Sequence, residues 1–213
     1  MKAFDYVIAG GGAAGCVLAA RLAEEKGISV CLVEAGGKGR DLFVRMPAGN
    51  GFVFGNPRLD WGYNSVAQSS LNGRSLYYPR GKALGGSSIV NGMVYMRGVA
   101  ADYDSWGFDG WSYANVLPYF RRSEAARDRC DAWHGSDGPL KTEPARNFGE
   151  IDRAFIAAAK SAGHNQVDDF NGPYRTGVAR NDSTVSKGVR QSAAIAYLKR
   201  PPRNLTIRTG CQI

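Results

Sequence analysis

With 213 residues, 44% of them hydrophobic and 22% charged, the chain is long enough to bury a sizeable core without disulfide or metal staples. Its net charge is +8, but the basic residues are scattered. The short clusters at Arg121-Arg122, Arg127/Arg129 and Lys199-Arg200/Arg203 lack interleaved aromatics, which argues against a nucleic-acid platform and for a small anionic ligand.

In chain order, the first feature is the uncharged stretch from Tyr6 to Ala20. Asp5 before it, the glycine-rich centre and Arg21 after it make a poor secretory or membrane helix. The stretch reads instead as a buried strand, Tyr6 to Ala9, followed by Gly10-Gly11-Gly12-Ala13-Ala14-Gly15, which fits G-x-G-x-x-G. A helix carrying Val17, Leu18 and Leu22 follows, and Gly27 is expected to close it in a left-handed conformation. Ile28 to Val33 reads as a second strand, nearly all apolar, as in a parallel sheet covered on both faces. Glu34 closes it, 19 positions after Gly15 (34 − 15).

Each part has a task in dinucleotide binding. Gly10 permits the turn out of the strand, Gly12 leaves room for a pyrophosphate, and Gly15 lets helix and strand pack closely. The helix N-terminus offers free N–H groups and a partial positive charge, with Ala13 and Ala14 in its first turn. Glu34 is placed to accept hydrogen bonds from an adenosine ribose, and its charge disfavours a 2′-phosphate. This motif by itself does not separate NAD from FAD.

The second motif, Gly81 to Gly98, reads GKALGGSSIVNGMVYMRG. Gly81, Gly85 and Gly86 allow close approach of another group, while Ser87, Ser88 and Asn91 supply directional hydrogen bonds. A flavin has a use for such a second backbone wall; a plain NAD enzyme does not. The four cysteines, Cys16, Cys31, Cys130 and Cys211, show neither CxxC nor metal-ligand spacing. No metal is expected, and a reducing, cytoplasmic compartment fits.

Gly81-Lys82-x-Leu84-Gly85-Gly86-Ser87-Ser88-x-Val90-Asn91, followed by Tyr95, Gly98 and Asp104, resembles the first signature of the glucose–methanol–choline family of FAD-dependent oxidoreductases. Glu34-Ala35-Gly36, Met46-Pro47, Asn72-Gly73-Arg74, Asp102-Tyr103-Asp104-x-Trp106, His134-Gly135-x-x-Gly138-Pro139-Leu140 and Asn204-Leu205-Thr206-Ile207 resemble its choline and aliphatic alcohol dehydrogenase branch. The resemblance runs along essentially the whole chain. It implies an α/β fold: a Rossmann-like FAD-binding domain, a parallel sheet with helices, plus the start of an α+β substrate domain, truncated relative to much longer members.

The resemblance also implies the cofactor contacts: Gly10, Gly12, Ala13, Ala14, Gly15, Glu34 and Ala35 on the dinucleotide; Gly81, Gly85, Gly86, Ser87, Asn91, Gly92, Met93 and Val94 along the flavin; and the backbone of Ile213 at the adenine. Val90 stands where some members carry a flavin-linking histidine, so the FAD is expected to be non-covalent. The implied reaction is hydride transfer from an alcohol to FAD, with a small-molecule alcohol as substrate and oxygen, a quinone or another acceptor taking the electrons. A quinone would imply peripheral attachment at the inner membrane, although no transmembrane segment is expected. The alternatives are an NAD-binding enzyme and a non-catalytic flavin-binding fragment.

The family's catalytic histidine falls beyond Ile213, so no catalytic residue is expected in this chain. His134 reads as structural, and His164, after Gly163, as part of a helix cap. Four segments are expected: 1–38, a β-α-β unit; 39–105, a cofactor-covering excursion; 106–203, first mostly helical as far as 137, then the start of a substrate domain; and 204–213, a strand returning to the first domain and running to Ile213. Helices are expected over WSYANVLPYFRRSE, around Val116, Leu117, Tyr119 and Phe120, from Glu150, and over RQSAAIAYL, with a strand near Leu140.

Overall fold

The structure, a computed structural model, describes residues 3–146 and 148–213. They form two compact units, one reaching to Gly92 and resuming over Lys187–Ile213, the other Met93–Ser186. The division therefore falls at Met93, inside the second glycine motif, rather than at residue 105. Residues 187–203, expected in the second domain, belong to the first.

The first unit contains β1 (Tyr6–Ala9), α1 (Ala13–Leu22), β2 (Val30–Glu34), α2 (Leu42–Arg45), α3 (Asn50–Val53), β3 (Tyr63–Asn64), β4 (Tyr77–Tyr78), β10 (Val189–Arg190), α7 (Ala193–Tyr197) and β11 (Leu205–Thr209). Its main sheet is parallel, in the order β1-β2-β11. Ile8 pairs with Leu32, and Ile207 pairs with Leu32 from the other side. The central strand is the most apolar, and Val30, Cys31 and Leu32 are buried, because a central parallel strand has neighbours on both edges and cover on its faces. α1 packs on this sheet and α7 packs against α1, closing a core of Ile8, Cys16, Ala19, Val30, Leu32, Leu198 and Leu205.

Three expectations need correction here. β1 is an edge strand, not a buried one: Tyr6 and Val7 are exposed and only Ile8 is buried. α1 ends at Leu22, and Gly27 is not among the left-handed glycines. Glu24 and Glu25 follow at the negative end of the helix dipole, where acids disfavour further turns. The chain tightens there into two i,i+3 bonds, Glu24 N–H to the Arg21 carbonyl and Glu25 N–H to the Leu22 carbonyl. The last strand ends at Thr209; Gly210 then turns with φ +71, and Ile213 lies outside the strand, exposed.

The excursion after β2 builds its own small core from Val44, Val53, Leu59, Ala83, Ile89 and Val90. Buried Asp60 organises it, accepting from the amides of Gly55, Gly62 and Arg80 and from the Tyr77 hydroxyl. Burial alone would raise the Asp60 pKa; these donors outweigh it and hold the carboxyl at about 2.

The second unit contains β5 (Val94–Tyr95), α4 (Ala100–Asp104), α5 (Tyr113–Ser123), β6 (Glu124–Ala126), β7 (Leu140–Pro144), α6 (Glu150–Ser161), β8 (Asp182–Ser183) and β9 (Val185–Ser186). Its sheet runs β5-β8-β7-β6, with β6 parallel to β7 and the other pairs antiparallel. Between 106 and 137 only α5 is helical; the chain then enters β6, so that segment is not mostly helical. On α5 the inner face is Tyr113, Val116, Leu117 and Phe120, at i, i+3, i+4 and i+7, while Tyr119 points to solvent.

The Asp-Tyr-Asp-x-Trp motif is a joint between helices. Asp102 accepts from the Val99 amide at 2.8 Å and Asp104 from the Tyr113 amide at 2.8 Å, while Tyr103 packs edge-on against Trp106 and Phe120. α6 closes as a Schellman motif: Gly163 N–H bonds the Lys160 carbonyl, and His164 N–H bonds the Ala159 carbonyl. His164 thus caps through its backbone.

Candidate cofactor site

β1 delivers the chain into Gly10, which has φ +91 and donates its N–H to the Val33 carbonyl at 2.8 Å. The turn brings Gly12 to the N-cap of α1, where no side chain caps the helix and the first turn holds no acid. Ala13 and Ala14 are exposed and Gly12 half-buried, so the positive end of the α1 dipole faces open space. A Cβ at Gly15 would stand 2.0 Å from the Gly10 carbonyl oxygen, whereas a Cβ at Gly12 would meet nothing within 4 Å. Gly15 is therefore required by the protein's own packing. Gly12 is not; the space before it suits a ligand's phosphates.

Glu34, at the end of β2, is buried and bridges the turn. One carboxylate oxygen accepts from the Gly11 amide at 2.7 Å and the other from the Gly36 amide at 2.7 Å. Each oxygen keeps a second lone pair for another donor. The sequence reading missed this internal duty of Glu34, and with it the role of Gly11, where a Cβ would meet the Leu84 side chain at 2.6 Å.

The second glycine motif lies against the first. Gly85 N–H donates to the Gly11 carbonyl at 2.7 Å, Leu84 N–H donates to the Gly37 carbonyl at 2.9 Å, and a Cβ on Gly86 would stand 2.7 Å from the Gly12 Cα. Gly86–Ile89 forms a short 3-10 turn, leaving Ser87, Asn91 and Gly92 exposed beside the uncapped helix end. Gly10, Gly12, Ala13, Ala14, Gly15, Glu34, Ala35, Gly81, Gly85, Gly86, Ser87, Asn91 and Gly92 thus share the first unit. Met93, with φ +61, and Val94 belong to the second, and Ile213 is an exposed residue of the first.

Two hydroxyl and amide groups are less available to a ligand than their motif suggests. Ser88 Oγ donates to the Gly85 carbonyl at 2.5 Å and accepts from the Ala193 amide at 2.9 Å, so it ties the turn to α7. Asn91 Oδ1 accepts from Arg190 at 2.8 Å. Val90 points into the small core and is buried.

In the second unit, His134 is wholly enclosed by charge. Its Nδ1 donates to Glu124 at 3.1 Å and its Nε2 to Asp169 at 2.8 Å. Glu124, fully buried, also accepts from Arg97 at 2.7 Å, from the Gly135 amide at 3.1 Å and from Thr142 Oγ1 at 3.2 Å. Arg129 binds Asp182 at 2.7 Å and reaches Asp169 at 3.7 Å. Burial would lower the His134 pKa, but the hydrogen bonds to Asp169 and Glu124 and their charges overcome it and push it up to about 9. An imidazolium with both nitrogens committed cannot take a proton from a substrate. Glu124 and Asp169, distant in sequence, gave no local signal of this environment. Gly135, of the same motif, is fixed by packing: a Cβ there would meet the Arg121 carbonyl oxygen at 1.8 Å.

A parallel β-α-β unit with an uncapped, glycine-lined helix end and an acid closing the second strand defines a dinucleotide-binding protein. The whole chain from residue 4 to 213 matches the family model for GMC oxidoreductase, and the chain belongs to that family, as the amino-terminal part. It is 42% identical to an oxygen-dependent choline dehydrogenase of Photobacterium profundum, over 97% of this chain and 38% of the relative. It is 45% identical to the same-named protein of Vibrio vulnificus, over 92% of this chain and 36% of the relative. Among solved structures, pyridoxine 4-oxidase from Mesorbium loti is similar with a TM-score of 0.93 and 37% identity, covering 99% of this chain and 43% of that one. A formate oxidase follows with a TM-score of 0.86 and 28% identity, covering 97% and 38%. The chain therefore spans well under half the length of the relatives it matches. Among the described residues no helix is long and apolar enough to cross a membrane, and no group of side chains is arranged to hold a metal.

Proposed function

We propose that this chain holds FAD without a covalent bond and that the whole protein oxidises a small alcohol at its CH–OH group. The open space before Gly12, at an uncapped helix end flanked by Glu34 and the second glycine motif, carries the reading. The first-turn amides of α1 and the helix dipole would hold the pyrophosphate. Glu34 would accept from the ribose with its remaining lone pairs, and the backbone of Gly85, Gly86 and Ser87, with Asn91 and Gly92, would form the wall beside the ring. When bound, FAD supplies a hydride-accepting ring. This chain's residues bind and orient it, exclude water on one side, and leave no side chain at Val90 able to form a bond to it. The substrate alcohol and the group that takes its hydroxyl proton are assigned to the rest of the protein, since His134 is locked in its carboxylate cage.

Fluorescence titration of FAD into the 213-residue chain and its Gly12→Val variant tests the reading. A Cβ at Gly12 meets no protein atom within 4 Å, so the variant should fold normally yet lose FAD affinity by tenfold or more. Equal affinities, or preference for NAD, would overturn it. Acid precipitation of the loaded protein should release all yellow colour to the supernatant.

A further inference from the structure

Arg190 is among the largest fully buried side chains and opens no route to solvent. Among the described residues its guanidinium meets neutral oxygens. Nε donates to the Val44 carbonyl at 3.0 Å, Nη1 to the Asn91 carbonyl and Oδ1 at 2.8 Å each and to the Ser88 carbonyl at 3.4 Å, and Nη2 to Asn50 Oδ1. Among the described residues no carboxylate pairs with it. A buried cation without a counter-ion is costly, so the arrangement calls for a function that simple packing does not supply.

The partners identify it. Val44 lies in α2, Asn50 begins α3, and Ser88 and Asn91 lie at the two ends of the stretch that leads from the 3-10 turn to the exposed Asn91 and Gly92. A single planar fork binds all three segments, and its geometry suits several acceptors at fixed angles in a way an ammonium does not. Asn91 is thereby pinned by both its carbonyl and its side chain.

We propose that Arg190 is a positioning residue for the cofactor wall, clamping Ser88–Asn91 in the conformation that receives the flavin. The proposal rests on the FAD reading of the second glycine motif for its purpose, but the clamp itself is a property of this chain. The buried positive charge also suits an anionic cofactor bound beside it. Arg190 was not singled out in the sequence because RQSAAIAYL reads as a helix. In the structure the helix starts only after Ser192, whose side chain accepts from the Ile195 amide, and Arg190 ends a strand.

Hydrogen–deuterium exchange on the 213-residue chain without added cofactor tests the clamp, using Arg190→Lys and Arg190→Met. In both variants the amides of Ser88, Val90 and Asn91 should exchange tenfold or more faster, while those of β2 keep their protection. Unchanged exchange in that stretch, or an equal loss across β2, would overturn the proposal. FAD titration with visible circular dichroism of the bound flavin is the second arm. Loss of affinity and an altered flavin band in Arg190→Met, partly rescued in Arg190→Lys, supports positioning; wild-type affinity and band shape in both variants overturns it. If wild type itself takes up no FAD, the cofactor reading fails while the exchange result still decides the clamp.

Discussion

Protonated His134 should hold the second unit together, and its contribution should vanish in alkali. A folded pKa of about 9 against 6.5 in the unfolded chain corresponds to about 3 kcal/mol, at roughly 1.4 kcal/mol per unit. Because the folded pKa is the higher, this stabilisation is fully present below pH 6.5 and is lost as pH rises through about 9. The groups facing the ring are Glu124 from β6 and Asp169 from the loop before β8; Arg97, beyond β5, pairs with Glu124, and Arg129 binds Asp169 and Asp182. The depressed pKa of Asp169 reports the same pairing, so its share is not added to the total. The perturbation is His134→Gln, which keeps one donor and removes the titrating charge. Urea unfolding followed by tryptophan emission suits the question, because Trp106, Trp111 and Trp133 lie in this unit. At pH 6 the variant should lose about 3 kcal/mol, and the wild-type decline between pH 6.5 and 9.5 should flatten. An equally steep decline in the variant would show that some other group carries the alkaline transition.

Gly15→Ala should destabilise the first unit by several kcal/mol or prevent its folding, since the new methyl would stand 2.0 Å from the Gly10 carbonyl oxygen; thermal melting checks it against Gly12→Ala, which should stay near wild type. Glu34→Ala should cost both stability and FAD affinity, because it leaves the Gly11 and Gly36 amides without their acceptors, at about 1–3 kcal/mol per buried group; a variant that loses affinity with an unchanged melting temperature would contradict the bridging role. Acidification should weaken the excursion only below about pH 4, as Asp60 is held near 2: a carboxyl with a depressed folded pKa contributes above its unfolded value and is lost as pH falls through the folded one, and Asp60→Asn should remove that acid transition in a denaturant titration. Primary alcohols and choline should not bleach flavin bound to this chain in anaerobic spectra; rapid bleaching abolished by His134→Ala would show that the caged imidazole acts as a base after all.

The β-α-β unit was legible because its information is local. A strand, a glycine turn, a helix and an acid follow one another within the first 34 residues, and each has a backbone requirement that few residues satisfy. The second glycine motif was legible for the same reason, as close approach leaves a compositional mark. Helix ends were less so: Gly27 looked like a stop, but Glu24 and Glu25 at the dipole's negative end stopped α1 earlier. What only the tertiary structure decided are the duties set by contacts between distant residues. Glu34 closes Gly11 and Gly36, Ser88 is consumed by Ala193, and Arg190 reaches Val44, Asn50 and Asn91. His134 acquires its charge from Glu124 and Asp169. Such pairings leave no periodicity along the chain, because burial brings the partners together and the low dielectric between them, rather than any neighbouring residue, determines how they titrate.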